Sequence, residues 1–401
     1  MLTIFPIEDT TVDQSLIIKK SLNFFEKVDE IDLTIVEKLE ECSPRNILAL
    51  ARTLNMPKST VYRRIEKLLN MGLTIEPIID YNKLDLRCGV ALIEPATGSL
   101  VKLYNVIAKI PWFYKFVVAN MNTVIVRFYE PKKYSGLAEK IIQALRKIGL
   151  IKNYKLIYTS IELASSKVSS EYFDRKLKVI KLKWSKWLKS ITENDCFKNI
   201  WELKFLDNKS CNLEVDSIDV KIIEELQLNA FQKLRNIGKK LNLSETTILH
   251  HYRKHIVERN VIIKYTPRIM IYHPDLSSYL MGFITFRNRK ALRNFIYTLW
   301  NTPILRRVNK VLNDTSVFAS ILVPRDEIIR FLVFMDTLCE VGIVHSYKLY
   351  FAYLKTLSSW TIPSELFKED YWENGWSRIK RVILENKRTW NKVPHSSVSL
   401  P

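Results

Sequence analysis

Two short stretches of the chain combine hydroxyls, cations and imidazoles at spacings that suit one side of a helix. In the first stretch these residues are Lys58, Ser59, Thr60, Tyr62, Arg63, Arg64 and Lys67. In the second stretch they are Ser244, Thr246, Thr247, His250, His251 and Lys254. Residues three or four apart share a helix face. The first stretch has such a row in Ser59, Tyr62, Arg63 and Lys67.

A basic and hydroxyl-rich helix face suits duplex DNA. The major groove admits an α-helix, and its base edges carry a distinguishable hydrogen-bonding code. Flanking cations and hydroxyls hold phosphates and set the register of the protein. We expect Arg63 or Arg64 to pair with guanine through two hydrogen bonds, and the less basic second stretch to bind more weakly at a different half-site. The alternative is a packing or dimerisation helix in which Arg64 only forms a salt bridge.

The second stretch lies within a helix-turn-helix pattern over residues 216–265. Apolar residues at helical spacing predict a first helix and a short second helix: Ile218, Ile222, Ile223, Leu226, Leu234, Ile237 and Leu241. A serine oxygen accepts the free amides of a following helix, so Ser244 is predicted to cap a third helix that ends at Val257. The β-branched run that begins at Val261 predicts a strand, which would be the wing of a winged helix.

The same pattern occurs earlier in the chain, over residues 32–75. When Asp32 is aligned with Asp219, apolar residues fall on apolar residues throughout the motif. A single alignment that preserves a whole motif indicates an internal duplication. The third helix of the second copy runs one residue longer before Asn260. The first copy has Gly72 at the corresponding helix end, a position that favours the left-handed backbone conformation.

Each winged-helix pattern is followed by elements in the order β-α-β-β-α-β, the ferredoxin-like arrangement. In the first copy we predict strand 89–93, helix 99–110, strands 114–119 and 123–129, helix 134–148 and strand 154–158. In the second copy we predict strand 279–286, helix 291–300, strands 305–312 and 317–323, helix 325–340 and strand 347–353. The sequence therefore predicts an α+β protein of two tandem units.

The predicted boundaries follow from these patterns. The first half comprises a leader with an amphipathic helix (residues 1–28), a winged helix (29–82), a ferredoxin-like domain (89–163) and a basic, tryptophan-bearing linker (164–212). The second half comprises a winged helix (213–272), a ferredoxin-like domain (278–357) and a basic tail (358–401). We call residues 29–163 unit 1 and residues 213–357 unit 2. The tryptophans of linker and tail are expected to pack in a core or interface; a clamp on DNA and an interfacial membrane helix are the alternatives.

Composition narrows the class of partner. The formal net charge is +20 over 401 residues, which favours a polyanion such as nucleic acid. No apolar run is long enough to span a bilayer, and the acidic first residues lack the basic start of a signal peptide. We therefore expect a cytoplasmic, nucleoid-associated protein without a membrane partner. The five cysteines are scattered, so neither a disulfide framework nor a cysteine metal site is expected.

The residues give no sign of catalysis. The chain shows no nucleophile elbow, no phosphate-cradling glycine loop and no carboxylate pair, and it has nine glycines in all. His251 and His255 have the spacing of metal ligands on one helix. No third ligand is evident beside them in the sequence, so we expect histidines that face solvent or phosphate. Neither a catalytic residue, a cofactor nor a metal is expected.

The motif I-D-x-x-I-x-x-x-L, then L-x-x-x-L-N-[LM]-[SP]-x-[ST]-T-[VI], followed by the βαββαβ order, resembles the Lrp/AsnC family of prokaryotic, especially archaeal, transcription regulators. The resemblance covers residues 29–162 and 216–353. It implies a winged helix that binds DNA as a dimer and a ferredoxin-like domain that dimerises and often binds amino acids. Two fused copies then imply a pseudo-dimer within one chain, with a sheet-to-sheet contact. A further homodimer remains compatible.

The chain departs from the family at its glycine-acid effector turn. Residues 120–122 (Asn-Met-Asn) and 312–315 (Leu-Asn-Asp-Thr) stand there, so an amino-acid effector is not expected. The architecture also resembles siroheme decarboxylases, which implies tetrapyrrole chemistry with histidine and arginine near the ring, and this is the second reading. An architectural chromatin or viral DNA-binding protein is the third. The first interpretation, a transcription regulator that binds double-stranded DNA, is the one that the sequence favours.

Overall fold

A computed structural model describes residues 27–41, 44–120, 122–164, 171–174, 176, 179–193, 213–269 and 271–390. Most of the predicted leader, the linker between 194 and 212 and the last part of the tail lie outside these residues. The amphipathic helix predicted within residues 1–28 therefore falls outside the described part of the chain.

The elements follow the predicted order in both units. Unit 1 and the linker after it contain α1 (Glu30–Glu41), α2 (Ile47–Thr53), α3 (Lys58–Asn70), β1 (Thr74–Ile79), β2 (Leu86–Pro95), α4 (Leu100–Ile107), β3 (Lys115–Ala119), β4 (Thr123–Pro131), α5 (Leu137–Lys147), β5 (Ile151–Thr159), β6 (Leu163–Ala164), β7 (Phe173–Asp174), β8 (Val179–Ile180) and α6 (Trp184–Glu193). Unit 2 and the tail after it contain α7 (Ser217–Leu228), α8 (Leu234–Leu241), α9 (Glu245–His250), a π-helical extension of α9 (His251–Val257), β9 (Ile262–Arg268), β10 (Ser277–Phe286), α10 (Arg289–Trp300), β11 (Leu305–Lys310), β12 (Ser316–Pro324), α11 (Ile328–Glu340), β13 (Val344–Phe351), β14 (Ser358–Ser359), β15 (Phe367–Lys368), β16 (Tyr371–Trp372) and α12 (Trp376–Trp390). The α+β architecture of two tandem units is confirmed.

Local sequence signals start and stop the helices of each helix-turn-helix. Asp216 and Asp219 form a reciprocal capping box at the start of α7, which satisfies backbone amides that the helix itself leaves free. The turn before each third helix passes through an asparagine in the left-handed conformation, Asn55 at φ 49° and Asn242 at φ 54°. Asparagine tolerates this conformation better than most residues. The two turns are thus built alike.

The strand predicted after the third helix is present in both units, and the two strands pair with each other. Strand β1 of unit 1 pairs with β9 of unit 2 in an antiparallel two-stranded sheet, with Thr74 opposite Arg268 and Pro77 opposite Tyr265. Among the described residues neither unit closes a wing hairpin of its own. An edge strand leaves unpaired amide and carbonyl groups, and here each strand satisfies the other. The two helix-turn-helix units are therefore joined as a pseudo-dimer.

The two ferredoxin-like sheets exchange edge strands. In the first sheet the order is β14-β3-β4-β2-β5, and in the second it is β13-β10-β12-β11-β6. Strand β6, at the end of unit 1, thus completes the sheet of unit 2, and β14, directly after unit 2, completes the sheet of unit 1. Each unit supplies the other with a short covering strand.

The sheets meet face to face, as predicted for a pseudo-dimer. A separate apolar cluster joins β2, β3 and β4 of unit 1 to the facing strands of unit 2: Val90, Val117, Ala119, Ile125, Met281, Phe318, Tyr350 and Ala352. Strand side chains alternate between two faces, so the other face of each sheet packs on its own helices. Each ferredoxin-like sheet therefore has one apolar face against the other sheet and one against its own helices.

The tryptophan-bearing helices also cross between units. Helix α6 packs on α10 and α11 of unit 2, where Trp184 contacts Phe331 and Phe334. Helix α12 packs on α4 and α5 of unit 1, with Lys140 4.1 Å from the Trp376 ring centroid. The expected packing of the tryptophans is thereby observed for these two residues. Within the basic linker, residues 179–180 pair with residues 173–174 as a short two-stranded sheet, and a helix follows from Trp184.

Candidate nucleic-acid interface

The third helix of unit 1, α3, is fixed by one apolar side. Val61, Ile65 and Leu68 recur at helical spacing and are buried in the core. The helix begins directly after Pro57 and ends before Gly72, whose φ of 95° lies in the left-handed region that glycine tolerates. The opposite side of α3 is consequently held toward solvent.

Most of the predicted contact residues of unit 1 lie on that outer side. Lys58, Ser59, Tyr62 and Arg63 are exposed, and Thr60 is half-buried. Glu66 accepts a hydrogen bond from the Tyr62 hydroxyl and raises the pKa of this tyrosine. The helix thus offers cations and hydroxyls at its first two turns, with one carboxylate beside them.

Two predicted contact residues of unit 1, Arg64 and Lys67, are turned toward the protein. Arg64 donates from Nη1 to Asp29 Oδ2 and to Asp32 Oδ1, at 2.7 Å each. Lys67 donates from Nζ to Asp32 Oδ2 at 2.6 Å. Asp32 is 0% exposed, and a buried carboxylate requires compensating charge. The salt bridge that was the alternative for Arg64 is therefore the arrangement observed, and Lys67 of the predicted row also pairs with Asp32, although its side chain stays 41% exposed.

The third helix of unit 2, α9, starts as the sequence predicts. Ser244 accepts a hydrogen bond from the amide of Thr247 at 3.0 Å and caps the helix. Ser244, Thr246 and His250 are exposed, while Thr247 is half-buried. Lys254 is exposed and donates to Glu258 one turn later at 2.8 Å. The outer side of α9 is hydroxyl-rich and carries less free positive charge than α3.

His251 is not on the outer side. Its Nδ1 lies 2.9 Å from Asp219 Oδ1, and His255 Nδ1 lies 3.0 Å from Asp219 Oδ2. Asp216 Oδ2 lies 3.5 Å and 3.7 Å from the same two imidazole nitrogens. The prediction of an outward His251 and the prediction that no third metal ligand lies near this pair are both wrong. Two carboxylates from the start of α7 complete a group of four potential ligands.

Ion pairs tie the paired strands β1 and β9 to the ferredoxin-like domains. Glu76 on β1 accepts hydrogen bonds from Arg268 on β9, at 3.0 Å, and from Arg307 on β11. Glu162 accepts from Arg307 and from Lys115, the latter at 3.1 Å. The helix-turn-helix pair is therefore linked electrostatically to both sheets. Sequence patterning offers no signal for these contacts, since the partners are far apart in the chain.

Burial and charge shape the titration of this network. Burial alone would raise the pKa of Glu76, but Arg307, Lys115 and Arg268 together hold it well below its usual value. The pKa of Lys115 is lowered well below its usual value by burial and by the nearby Arg307. Glu76 is accordingly a carboxylate across the neutral range.

A small cavity adjoins this network, between the paired strands β1 and β9 and the ferredoxin-like domain of unit 1. It has a volume of about 90 Å³ and is bordered by Glu76, Tyr81, Tyr114, Lys115 and Trp360, among others. Pockets for drug-sized ligands occupy roughly 300–1,000 Å³, so this cavity is too small for a tetrapyrrole. It offers water-sized space beside charged side chains.

Comparison with known proteins points to the helix-turn-helix. A family model described as winged helix-turn-helix DNA-binding matches residues 28–73 and 215–254. An HTH-type transcriptional regulator of Pyrococcus furiosus is 30% identical over 131 residues, which are 31% of this chain and 86% of that protein. Another HTH-type transcriptional regulator, from Pyrococcus horikoshii, is 31% identical over 98 residues, which are 22% of this chain and 64% of that protein.

A solved structure extends the likeness to the whole architecture. The siroheme decarboxylase NirDL, in complex with an iron-uroporphyrin III analogue, matches with a TM-score of 0.50 and covers 88% of this chain and 99% of its own. The identity is 13%, so the likeness concerns the fold alone. The two chains thus share an arrangement of two units, and a shared fold does not fix function.

Proposed function

The chain belongs to the winged helix-turn-helix, HTH-type transcriptional regulators, and we propose that it acts as a regulator of the Lrp/AsnC type. On that premise it binds duplex DNA through the outer sides of α3 and α9 and regulates transcription. One polypeptide supplies both DNA-reading helices, and the paired strands β1 and β9 hold them in a fixed relation. A second copy of the chain is not required for the basic binding act, although a homodimer is compatible with it.

The exposed face of α3 is the observation that supports this proposal most directly. Lys58, Ser59, Tyr62 and Arg63 are all exposed on a helix whose other side is core. Arg63 presents a fork of donors that suits guanine, and Lys58 and Ser59 suit phosphate oxygens. Since Arg64 and Lys67 are held by Asp29 and Asp32, base reading is assigned to the first two turns of the helix.

Net charge supplies the non-specific part of the affinity. The chain carries a formal charge of +20, and each phosphate contact adds about −0.9 to the slope of log affinity against log salt. Unit 2 has fewer free cations on its outer helix, so we assign it the weaker contact. The two half-sites need not be identical in sequence, because α3 and α9 differ at most outer positions.

The test is a double substitution, Lys58→Ala with Arg63→Ala, in the full chain. Loss of two phosphate or base contacts should weaken DNA binding at least tenfold and reduce the salt slope by about 1 to 2. The matched control is Arg146→Ala with Lys147→Ala, which removes two exposed cations from the end of α5. Fluorescence anisotropy with a labelled duplex at several salt concentrations measures both quantities. Equal losses for the two variants would refute the assignment of α3.

Sequence preference separates the regulator from its rivals. A regulator protects discrete sites in a footprint of genomic fragments, whereas an architectural protein protects DNA without preference.

The interpretation as a tetrapyrrole enzyme rests on the shared fold. The cavity of about 90 Å³ beside the paired strands β1 and β9 is too small to hold a tetrapyrrole. Within the described residues no helix is long and apolar enough to cross a membrane. We propose that the protein acts on DNA in the cytoplasm and needs no amino-acid effector.

A further inference from the structure

The duplication places the same two carboxylates at the start of both helix-turn-helix units. Asp29 and Asp32 in unit 1 correspond to Asp216 and Asp219 in unit 2. In both units the second carboxylate is 0% exposed and the first lies closer to solvent. Each pair therefore presents two negative charges to the underside of the third helix.

The partners of the two carboxylate pairs differ in charge. In unit 1 they are Arg64 and Lys67, which carry permanent positive charge and balance both carboxylates. In unit 2 the partners are His251 and His255. Imidazoles, unlike guanidinium and ammonium groups, carry no fixed charge at neutral pH. Unit 2 thus lacks the permanent cations with which unit 1 balances its two carboxylates.

One additional residue in the third helix brings the histidines into this position. His255 precedes the buried Ile256, just as Lys67 precedes the buried Leu68. The extra residue is accommodated by the π-helical turn over His251–Val257. Such insertions cost helix regularity and occur frequently at functional sites. The irregularity aligns both imidazoles with the carboxylates of α7.

We propose that Asp216, Asp219, His251 and His255 bind a divalent first-row transition ion, best matched by Zn²⁺. Tetrahedral zinc at about 2.0–2.2 Å from nitrogen and oxygen ligands separates its ligand atoms by about 3.3 Å. The imidazole Nδ1 atoms lie 2.9 and 3.0 Å from Asp219 and 3.5 and 3.7 Å from Asp216. All four candidate ligand atoms lie within 4.8 Å of one another, so a tetrahedral shell requires the widest separations to close by at most about 1.5 Å.

The ligand types and charges agree with this ion. Imidazole and carboxylate together suit zinc, and an ion of charge +2 balances the two carboxylates as Arg64 and Lys67 do in unit 1. Coordination through Nδ1 requires each imidazole to carry its remaining proton on Nε2. The Asp216 Oδ1 atom already caps α7 by accepting from Ile218 and Asp219, which leaves Oδ2 directed to the ion.

The bound ion would fasten the start of α7 to the DNA-reading helix of unit 2. Without the ion, the carboxylates of Asp216 and Asp219 disfavour a nearby phosphate, and no coordinate bond links the π-helical turn to α7. Occupancy should therefore strengthen DNA binding by unit 2. This second consequence rests on the function proposed above, whereas ion binding itself does not.

Titration of the full-length, metal-free protein with Co²⁺ tests the site. Four-coordinate cobalt absorbs visible light far more strongly than the hydrated ion, so one equivalent should produce an intense band that excess Zn²⁺ removes. The double variant His251→Arg with His255→Lys reproduces the cations of unit 1 and should fold while losing the band. His273→Gln with His345→Gln removes two histidines elsewhere and should keep it.

The outcomes separate this inference from the proposed function. Absence of a stoichiometric band in the wild type, or its persistence in the His251→Arg, His255→Lys variant, would overturn the metal site. If the site is real, chelation should reduce the affinity of the wild type for DNA several-fold and leave that variant unchanged. A normal cobalt band in a protein that ignores duplex DNA would refute the proposed function and support the metal site.

Discussion

The buried carboxylate of Asp32, beneath α3, allows a prediction about two quantities. Its removal should lower the stability of α3 and increase the salt dependence of DNA binding. Substitution of Asp32 by Asn removes the buried charge that holds Arg64 at 2.7 Å and Lys67 at 2.6 Å while keeping the side-chain shape. A hydrogen bond to a charged group contributes about 1.5–3 kcal/mol. The Lys67 side chain is 41% exposed and returns easily to water, so the loss is close to that of one such bond, about 2 kcal/mol.

A change of about 2 kcal/mol alters a local opening equilibrium about 30-fold. The amides of α3 should therefore exchange with deuterium about 30-fold faster in Asp32→Asn than in the wild type, under conditions where exchange follows the opening equilibrium. Asp29→Asn is the matched control. It also removes a partner of Arg64, but Asp29 is 52% exposed, and an exposed pair contributes less than about 1 kcal/mol.

The same substitution should change DNA binding in the other direction. Arg64 and Lys67, once released, become available to phosphates, and each new contact steepens the salt slope by about 0.9. We expect weaker stability of α3 together with a slope that is steeper by about 1 to 2 units. Unchanged exchange rates would refute the structural role of Asp32. Faster exchange with an unaltered salt slope would refute the expectation that the released Arg64 and Lys67 reach phosphates.

Two further predictions concern the core of the pseudo-dimer. The pKa of Glu76 is depressed in the folded protein, so its ion pairs contribute fully above the unfolded value of about 4.3 and are lost as pH falls through the folded value. Thermal melts between acid and neutral pH should show that Glu76→Gln is less stable at neutrality and less sensitive to acid; parallel curves would contradict this. A Cβ added at Gly282 would collide with the carbonyl oxygen of Lys348, so Gly282→Ala should cost about 1–3 kcal/mol by overpacking. Urea unfolding measures this cost, and an unchanged midpoint would show that β13 shifts freely.

Periodicity is sufficient to predict the two units and nearly all of their strands. The pairing of β1 with β9 is beyond its reach, since this pairing joins residues far apart in the chain and depends on the duplication folding upon itself. Helical spacing also leaves the direction of Arg64, Lys67 and His251 undecided. These residues flank the polar face, and only the position of the first helix determines which of them meets a carboxylate.

A signal for the four-residue cluster is nevertheless present in the sequence. The two acids three residues apart at the start of each first helix recur in both copies. Aligning the copies with one extra residue in the second places His251 on Arg64 and His255 on Lys67. If the two copies are treated as versions of one site, the sequence alignment alone predicts that His251 and His255 lie beside the aspartates.

The exchanged edge strands β6 and β14 have a consequence for regulation in the cell. In an ordinary homodimer the subunits separate on dilution and can recombine with related chains. Here the halves are covalently joined, and each completes the sheet of the other. Pairing of the halves is consequently independent of protein concentration, and β14 and β6 cover the edges that β3 and β11 would otherwise leave open. A cell can hold such a protein at very few copies without losing its assembled form.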